Sequence, residues 1–186
     1  KTHVSIASLS NAIKAQTVVI NGVSKTYAMT GWRIGYAAGP KPVIQAMTAH
    51  QSHSASNPNS IAQYATLAAL SGGEETVAAM VAEFDARRLL MHRMIGAIPG
   101  LRANLPDGAF YMMINLDGVI GKRSGGKVID GSMAFADALL TQKSVAVVPA
   151  KAFGDDRHVR LSYAVSREHI EKGITRIGEF VAEMEG

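Results

Sequence analysis

The sequence contains no cysteine, which excludes disulfides, thiolate catalysis and Cys-based zinc sites. Only 6% of the residues are aromatic, and the net charge of +4 comes from basic residues scattered along the chain. A nucleic-acid surface wants clustered Lys and Arg interleaved with aromatics, so no nucleic-acid partner is expected. No apolar run approaches the roughly 20 residues that span a bilayer, so no membrane partner is expected either. The opening residues Lys1-Thr2-His3-Val4-Ser5 show neither a signal-peptide pattern nor an initiator methionine, which suggests a chain that begins within a longer protein. What remains is 186 residues, 47% hydrophobic and 18% charged. That is the balance of a globular protein able to bury a sizeable core, as one domain or as parts of two.

Alternation and periodicity predict the elements. Gln16-Thr17-Val18-Val19-Ile20 is β-branched and ends at Asn21-Gly22, a pattern for a buried strand closed by a turn. Residues 34–38 form a second strand, residues 42–50 a short helix, and the polar segment 51–59 a loop. Asn59 or Ser60 caps a helix to about Leu70. Val77, Met80, Val81, Phe84, Met91, Met94, Ile95 and Ile98 then recur at helical spacing, giving one long helix of the kind that bridges domains. Beyond it the texture is α+β: strands over 109–114, 145–148 and 158–164, a helix over 132–140, and a final helix opened by Ser166 as N-cap with His169 at N3. Met91, Met94, Met112 and Met113 read as packing residues.

Chemistry concentrates in Ser24-Lys25-Thr26-Tyr27-Ala28-Met29-Thr30-Gly31-Trp32-Arg33. A lysine emerging from a strand end stands where open α/β folds place ligands. Partial desolvation there makes its amine nucleophilic toward a carbonyl. Ser24 adds a hydroxyl, and Arg33 a planar guanidinium suited to a phosphate. Amine, hydroxyl and guanidinium together are what an aldehyde cofactor with a phosphate tail requires. Taken as residue types alone they are better described as a solvated loop lysine and an ion-paired arginine.

The longer string decides between these readings. From Asn21 to Tyr36 it closely resembles the cofactor-lysine segment of the fold-type-I aminotransferases, the prokaryotic-type aspartate aminotransferases in particular. Arg87-Arg88, Pro106 to Tyr111, Ala152-Phe153-Gly154 and Arg160 to Ala164 resemble that family's later landmarks, in the same order. The resemblance implies an α/β fold, the C-terminal portion of the fold-type-I transferase fold. Residues 1–75 would be the end of the large cofactor domain, and 76–186 the bridging helix with the small α+β domain. It further implies that Lys25 binds pyridoxal 5'-phosphate as a Schiff base and carries the substrate α-proton. By the same resemblance Ser24 and Arg33 hold the phosphate, and Arg160 grips the substrate α-carboxylate. The expected reaction moves an amino group between an amino acid, aspartate by this likeness, and a 2-oxo acid. The expected setting is a cytoplasmic homodimer.

Two departures qualify the picture. The family sets an Asp against the pyridine nitrogen, and an Asn and a Tyr near the ring oxygen, all before the lysine; residues 1–24 contain no Asp, Glu or Tyr. The chain is therefore expected to be a C-terminal part, inactive by itself. Pro149-Ala150-Lys151 also lacks the family's glycine after the proline. A lyase or decarboxylase sharing the same lysine, and a catalytically dead folded module, remain as alternatives. Gly121 to Val128 resembles a nucleotide-binding loop, but Val128 stands where Ser or Thr must meet magnesium, so a flexible surface loop is expected. His50 and His53 have no acidic or third histidine partner nearby, so no metal is expected.

Overall fold

The computed structural model describes residues 2–186, which divide into two compact units meeting at Ala78/Ala79. In the first unit a short helix α1 (Asn11–Lys14) precedes strand β1 (Val19–Gly22), which pairs antiparallel with β2 (Gly35–Ala38). The sequence pattern suggests a buried strand stopped by Asn21-Gly22. Instead β1 runs through those two residues and Ile20 is 78% exposed. A parallel partner needs a long crossover, usually helical, whereas residues 23–34 form a compact loop with its ends held together by the Gly22–Gly35 pair. Helix α2 (Lys41–Ser54) runs further than its sequence suggests, into the polar segment. The hydroxyls of Thr48, Ser52 and Ser54 donate to backbone carbonyls three or four residues back, so the polar residues continue the helix. Helix α3 (Ser60–Ser71) starts at the expected cap, Asn59 accepting from the Ala62 amide.

The second unit contains nearly all of α4 (Glu75–Gly96), followed by β3 (Arg102–Ala103), β4 (Tyr111–Asn115), β5 (Arg123–Ser124), β6 (Lys127–Val128), α5 (Ser132–Lys143), β7 (Val148–Pro149), β8 (His158–Ser162) and α6 (Arg167–Ala182). Four strands form one antiparallel sheet in the order β3-β4-β8-β7. Alternation gives this sheet two unlike faces. Met112, Ile114, Val159 and Leu161 point into the core, where they meet Met91 and Ile95 of α4, Phe135 and Leu139 of α5, and Ile170, Ile174, Ile177 and Phe180 of α6. Tyr111, Met113, Arg160 and Ser162 take the other face. Met113 is therefore not a core residue: its neighbours Met112 and Ile114 occupy the inner face on either side of it.

Two local devices define this unit. Ser166 caps α6 through the His169 amide and also contacts that ring's Nδ1. Gly118 lies against Gly100, where a Cβ would stand 2.6 Å from a backbone carbonyl oxygen and Cα, so only glycine fits. The predicted flexible loop around residue 125 is instead a hairpin, β5–β6, turned by Gly125 and Gly126 at positive φ. Its base is secured by Arg123 pairing with Glu185 and by burial of Val119 and Ile129.

Glu83 of α4 ties α4 to α6, accepting from Arg87 at 2.7 Å and from the Arg167 Nε at 3.1 Å. The Arg167 hydrogen bonds, then that of Arg87, push its carboxyl from 4.5 down to about 2. A depressed carboxylate stabilises the fold above its unfolded value and loses that contribution as pH falls through the folded one. The stability difference between the native chain and Glu83→Gln is therefore expected to be constant above about pH 5 and to shrink as pH falls from 4.5 toward about 2. Urea midpoints at several pH values check this, and a difference independent of pH in that window would remove Glu83 from the account.

Candidate active site

The loop over residues 23–34 carries three of the four residues singled out from sequence. Ser24 and Lys25 follow β1, Arg33 precedes β2, and the Gly22–Gly35 register pair brings both ends of the loop to the same end of the hairpin. The loop is anchored from beneath: Val23, Met29 and Ile34 are buried with Ala62 of α3, and Tyr27, Ala65 and Ala69 pack around them. Backbone bonds from Tyr27 to Val23, Ala28 to Lys25 and Trp32 to Met29 fix its course. With the apolar side chains taking the inner face, the polar ones turn outward. Lys25 is exposed in this unit.

Ala28 and Arg33 both have left-handed backbones, with φ of 54° and 56°. Non-glycine residues in that region cost on the order of 1–3 kcal/mol and persist where the surroundings enforce them. At Arg33 the enforcing features are the buried Ile34 that follows and a hydrogen bond from its Nη1 to the Thr30 carbonyl at 2.8 Å. Arg33 borders a cleft of about 580 Å³ lined also by Gly31, Trp32, Pro58, Asn59 and Ala62. Strain of this kind, next to a cleft, is typical of ligand sites.

Arg160 belongs to the second unit, on the outer face of the sheet. It pairs across β8 with Met113 on one side and Val148 on the other. Its guanidinium carbon lies 4.2 Å from the ring centre of Tyr111 and 5.0 Å from that of Phe153. Among the described residues its guanidinium has no ion pair or hydrogen bond. A structural ion pair is therefore not what holds it. By contrast Arg88, one of the landmark arginines, is fully engaged: it bonds Asp85 and donates to the Pro106 carbonyl at 2.8 Å. From the other side the Tyr163 hydroxyl shares its one proton between the carbonyls of Gly108 and Ala109, at 3.0 and 3.1 Å. Arg88 and Tyr163 thus clamp the turn that leads into Tyr111, where Ala109 has φ 62°.

Sequence reasoning included Tyr111 and Phe153 only as parts of landmarks. The alternation of β4, with Tyr111 two residues from Met113 and so on the Arg160 face, was the available signal for the first. Nothing in sequence spacing indicates Phe153. His50 and His53 lie exposed on α2, and among the described residues no three His, Asp or Glu side chains gather as a metal site.

An anchored loop in the first unit carries lysine, serine and arginine, and the sheet of the second unit presents an arginine whose guanidinium has no ion pair among the described residues. The profile of the aminotransferase class I and II family matches residues 1–177, and the chain belongs to that family. It is 49% identical over 179 residues to the aspartate aminotransferase of Geobacillus stearothermophilus, covering 96% of this chain and 44% of that protein. Over 168 residues it is 49% identical to the aspartate/prephenate aminotransferase of Cereibacter sphaeroides, covering 90% of this chain and 42% of that protein. The crystal structure of the aspartate aminotransferase from Rhizobium meliloti superposes with a TM-score of 0.93 at 41% identity, over 98% of this chain and 46% of that one. The chain thus spans less than half the length of these relatives. Among its described residues no helix is long and apolar enough to cross a membrane.

Proposed function

We propose that the protein to which this chain belongs is a pyridoxal-phosphate-dependent aminotransferase that moves an amino group between an amino acid, aspartate first among them, and a 2-oxo acid. The observation that carries this reading is the single anchored loop on which Ser24, Lys25 and Arg33 are held. The donor set fits the cofactor: an amine for its aldehyde, and a hydroxyl and a guanidinium for its phosphate. When bound, pyridoxal phosphate supplies an aldehyde carbon and an electron-withdrawing ring.

Lys25 anchors the cofactor covalently and moves the proton at the substrate α-carbon. Ser24 and Arg33 hold the phosphate, with Arg33 set by its left-handed backbone and its bond to Thr30. Arg160 receives the α-carboxylate common to the amino acid and the 2-oxo acid, a role for which a guanidinium without a protein anion is suited. In this reading residues 1–75 complete a large cofactor domain, residues 76–186 form a bridging helix and small domain, and the enzyme works as a cytoplasmic homodimer.

The two arginines have separable roles, and that is the test. In the complete enzyme Arg33→Ala is expected to raise the dissociation constant for pyridoxal phosphate about 10- to 100-fold, the cost of a charge-assisted contact. Arg160→Ala is expected to leave cofactor affinity in place and raise KM for amino acid and 2-oxo acid together, by about the same factor. Cofactor titration followed by steady-state kinetics checks both. Equal loss of cofactor in the two variants would overturn the assignment.

A further inference from the structure

Arg160 poses a physical question that its proposed role leaves open. A half-buried guanidinium with no carboxylate and no hydrogen-bond partner within its unit has to be held in one orientation by something else. A long, flexible side chain without such support would lose rotamer freedom each time it received a ligand. The groups that approach it are two rings. Tyr111 of β4 is its diagonal neighbour on the outer face of the sheet, since Tyr111 pairs with Ser162 and Met113 with Arg160. Phe153 closes the 3-10 turn Ala150–Phe153 that joins β7 to β8. Both rings are substantially exposed, at 37% and 58%, and neither belongs to the hydrophobic core. Exposed aromatic side chains contribute little to folding, which directs attention to the cation they share.

We infer that Tyr111 and Phe153 are positioning residues for the carboxylate site: their rings hold the guanidinium of Arg160 by its face and leave its N–H edge open to a planar carboxylate. The physical basis is the attraction of a cation to the negative face of a ring, together with the planarity of the guanidinium, whose donors all lie at its edge. Tyr111 is itself held by the clamped turn before it, through Arg88 on Pro106 and Tyr163 on Gly108 and Ala109. Phe153 is held by the left-handed Gly154 (φ 89°) and the Gly154 amide bond to the Lys151 carbonyl. A rigid ring on each of two elements thus substitutes for the ion pair that would otherwise orient Arg160 and block its fork.

The inference rests on the proposed role of Arg160, and the experiment separates the two. In the complete, cofactor-loaded enzyme, Tyr111→Leu and Phe153→Leu are each expected to raise KM for both the amino acid and the 2-oxo acid about two- to fivefold. The double variant should raise it roughly tenfold. Changes in kcat should be smaller, and cofactor affinity should not move. Tyr111→Phe, which keeps the ring and removes the hydroxyl, should restore KM, and Arg160→Ala should raise it further than either leucine variant. Should Arg160→Ala leave KM unchanged, the carboxylate role falls and this inference with it. Should Arg160→Ala raise KM while the leucine variants do not, the rings play no part and only the inference falls. Equal losses in Tyr111→Phe and Tyr111→Leu would move the effect to the hydroxyl and also overturn it.

Discussion

Replacement of Lys25 by alanine in the complete enzyme is expected to lower the rate of amino-group transfer by at least about 10,000-fold. Positioned proton transfer alone contributes about 100- to 10,000-fold, and this substitution also removes the covalent anchor. The loop itself should survive, because Lys25 is exposed and the anchoring is carried by Val23, Met29 and Ile34. Two measurements keep the result interpretable. Turnover with aspartate and a 2-oxo acid reads the chemistry. Borohydride reduction followed by peptide mapping reads the attachment, and should label the peptide containing residue 25 in the native enzyme only. Near-native turnover, or a label on another lysine, would sink the assignment of Lys25.

The second large effect concerns stability. Phe180 of α6 is fully buried and meets Phe135 of α5 edge-on, with ring centres 5.4 Å apart and planes at 80°. It belongs to the core that both helices form with the inner face of the sheet, so truncation leaves a cavity. Phe180→Ala is expected to destabilise the second unit by about 3–5 kcal/mol, a large share of the roughly 5–15 kcal/mol typical of a domain. Phe153→Ala, an equal loss of side-chain volume at an exposed position, should stay within about 0.5 kcal/mol. Denaturant unfolding of the two variants beside the native chain makes the comparison. A cost below about 1 kcal/mol at Phe180 would mean that the core described around it does not form.

Where the sequence alone succeeded, the signal was local. Asn59 and Ser166 were legible as helix caps because a side-chain oxygen that accepts from an amide three residues on needs nothing but its neighbours. The long α4 followed from apolar residues at helical spacing, which directs one stripe to a core whatever that core contains, and α6 from the capping signal at Ser166 that opens it. The string from Ser24 to Arg33 stood out for a chemical reason: amine, hydroxyl and guanidinium at a strand end are an unusual set, and the residues around them carry the family resemblance. The boundaries were less legible. Helix α2 continued through a Ser- and His-rich stretch because hydroxyls can return their donors to the helix backbone, and the residues around 125 became a hairpin through pairing with distant Glu185.

By itself the sequence determined the main helices, the family, and where the amine, hydroxyl and guanidinium groups of Ser24, Lys25, Arg33 and Arg160 stand in the chain, since propensity, capping and residue chemistry are properties of short stretches. Only the tertiary structure decided which partner each strand takes, which face each strand residue occupies, and what surrounds a given charge. It turned β1 and β2 into an antiparallel pair whose closed base gathers Ser24, Lys25 and Arg33 onto one loop, and it sent Met113 outward. It also left Arg160 with two aromatic rings for company and no anion. Such outcomes depend on contacts between residues far apart in the chain, where the energy is set by packing and pairing and not by the residue's own preferences.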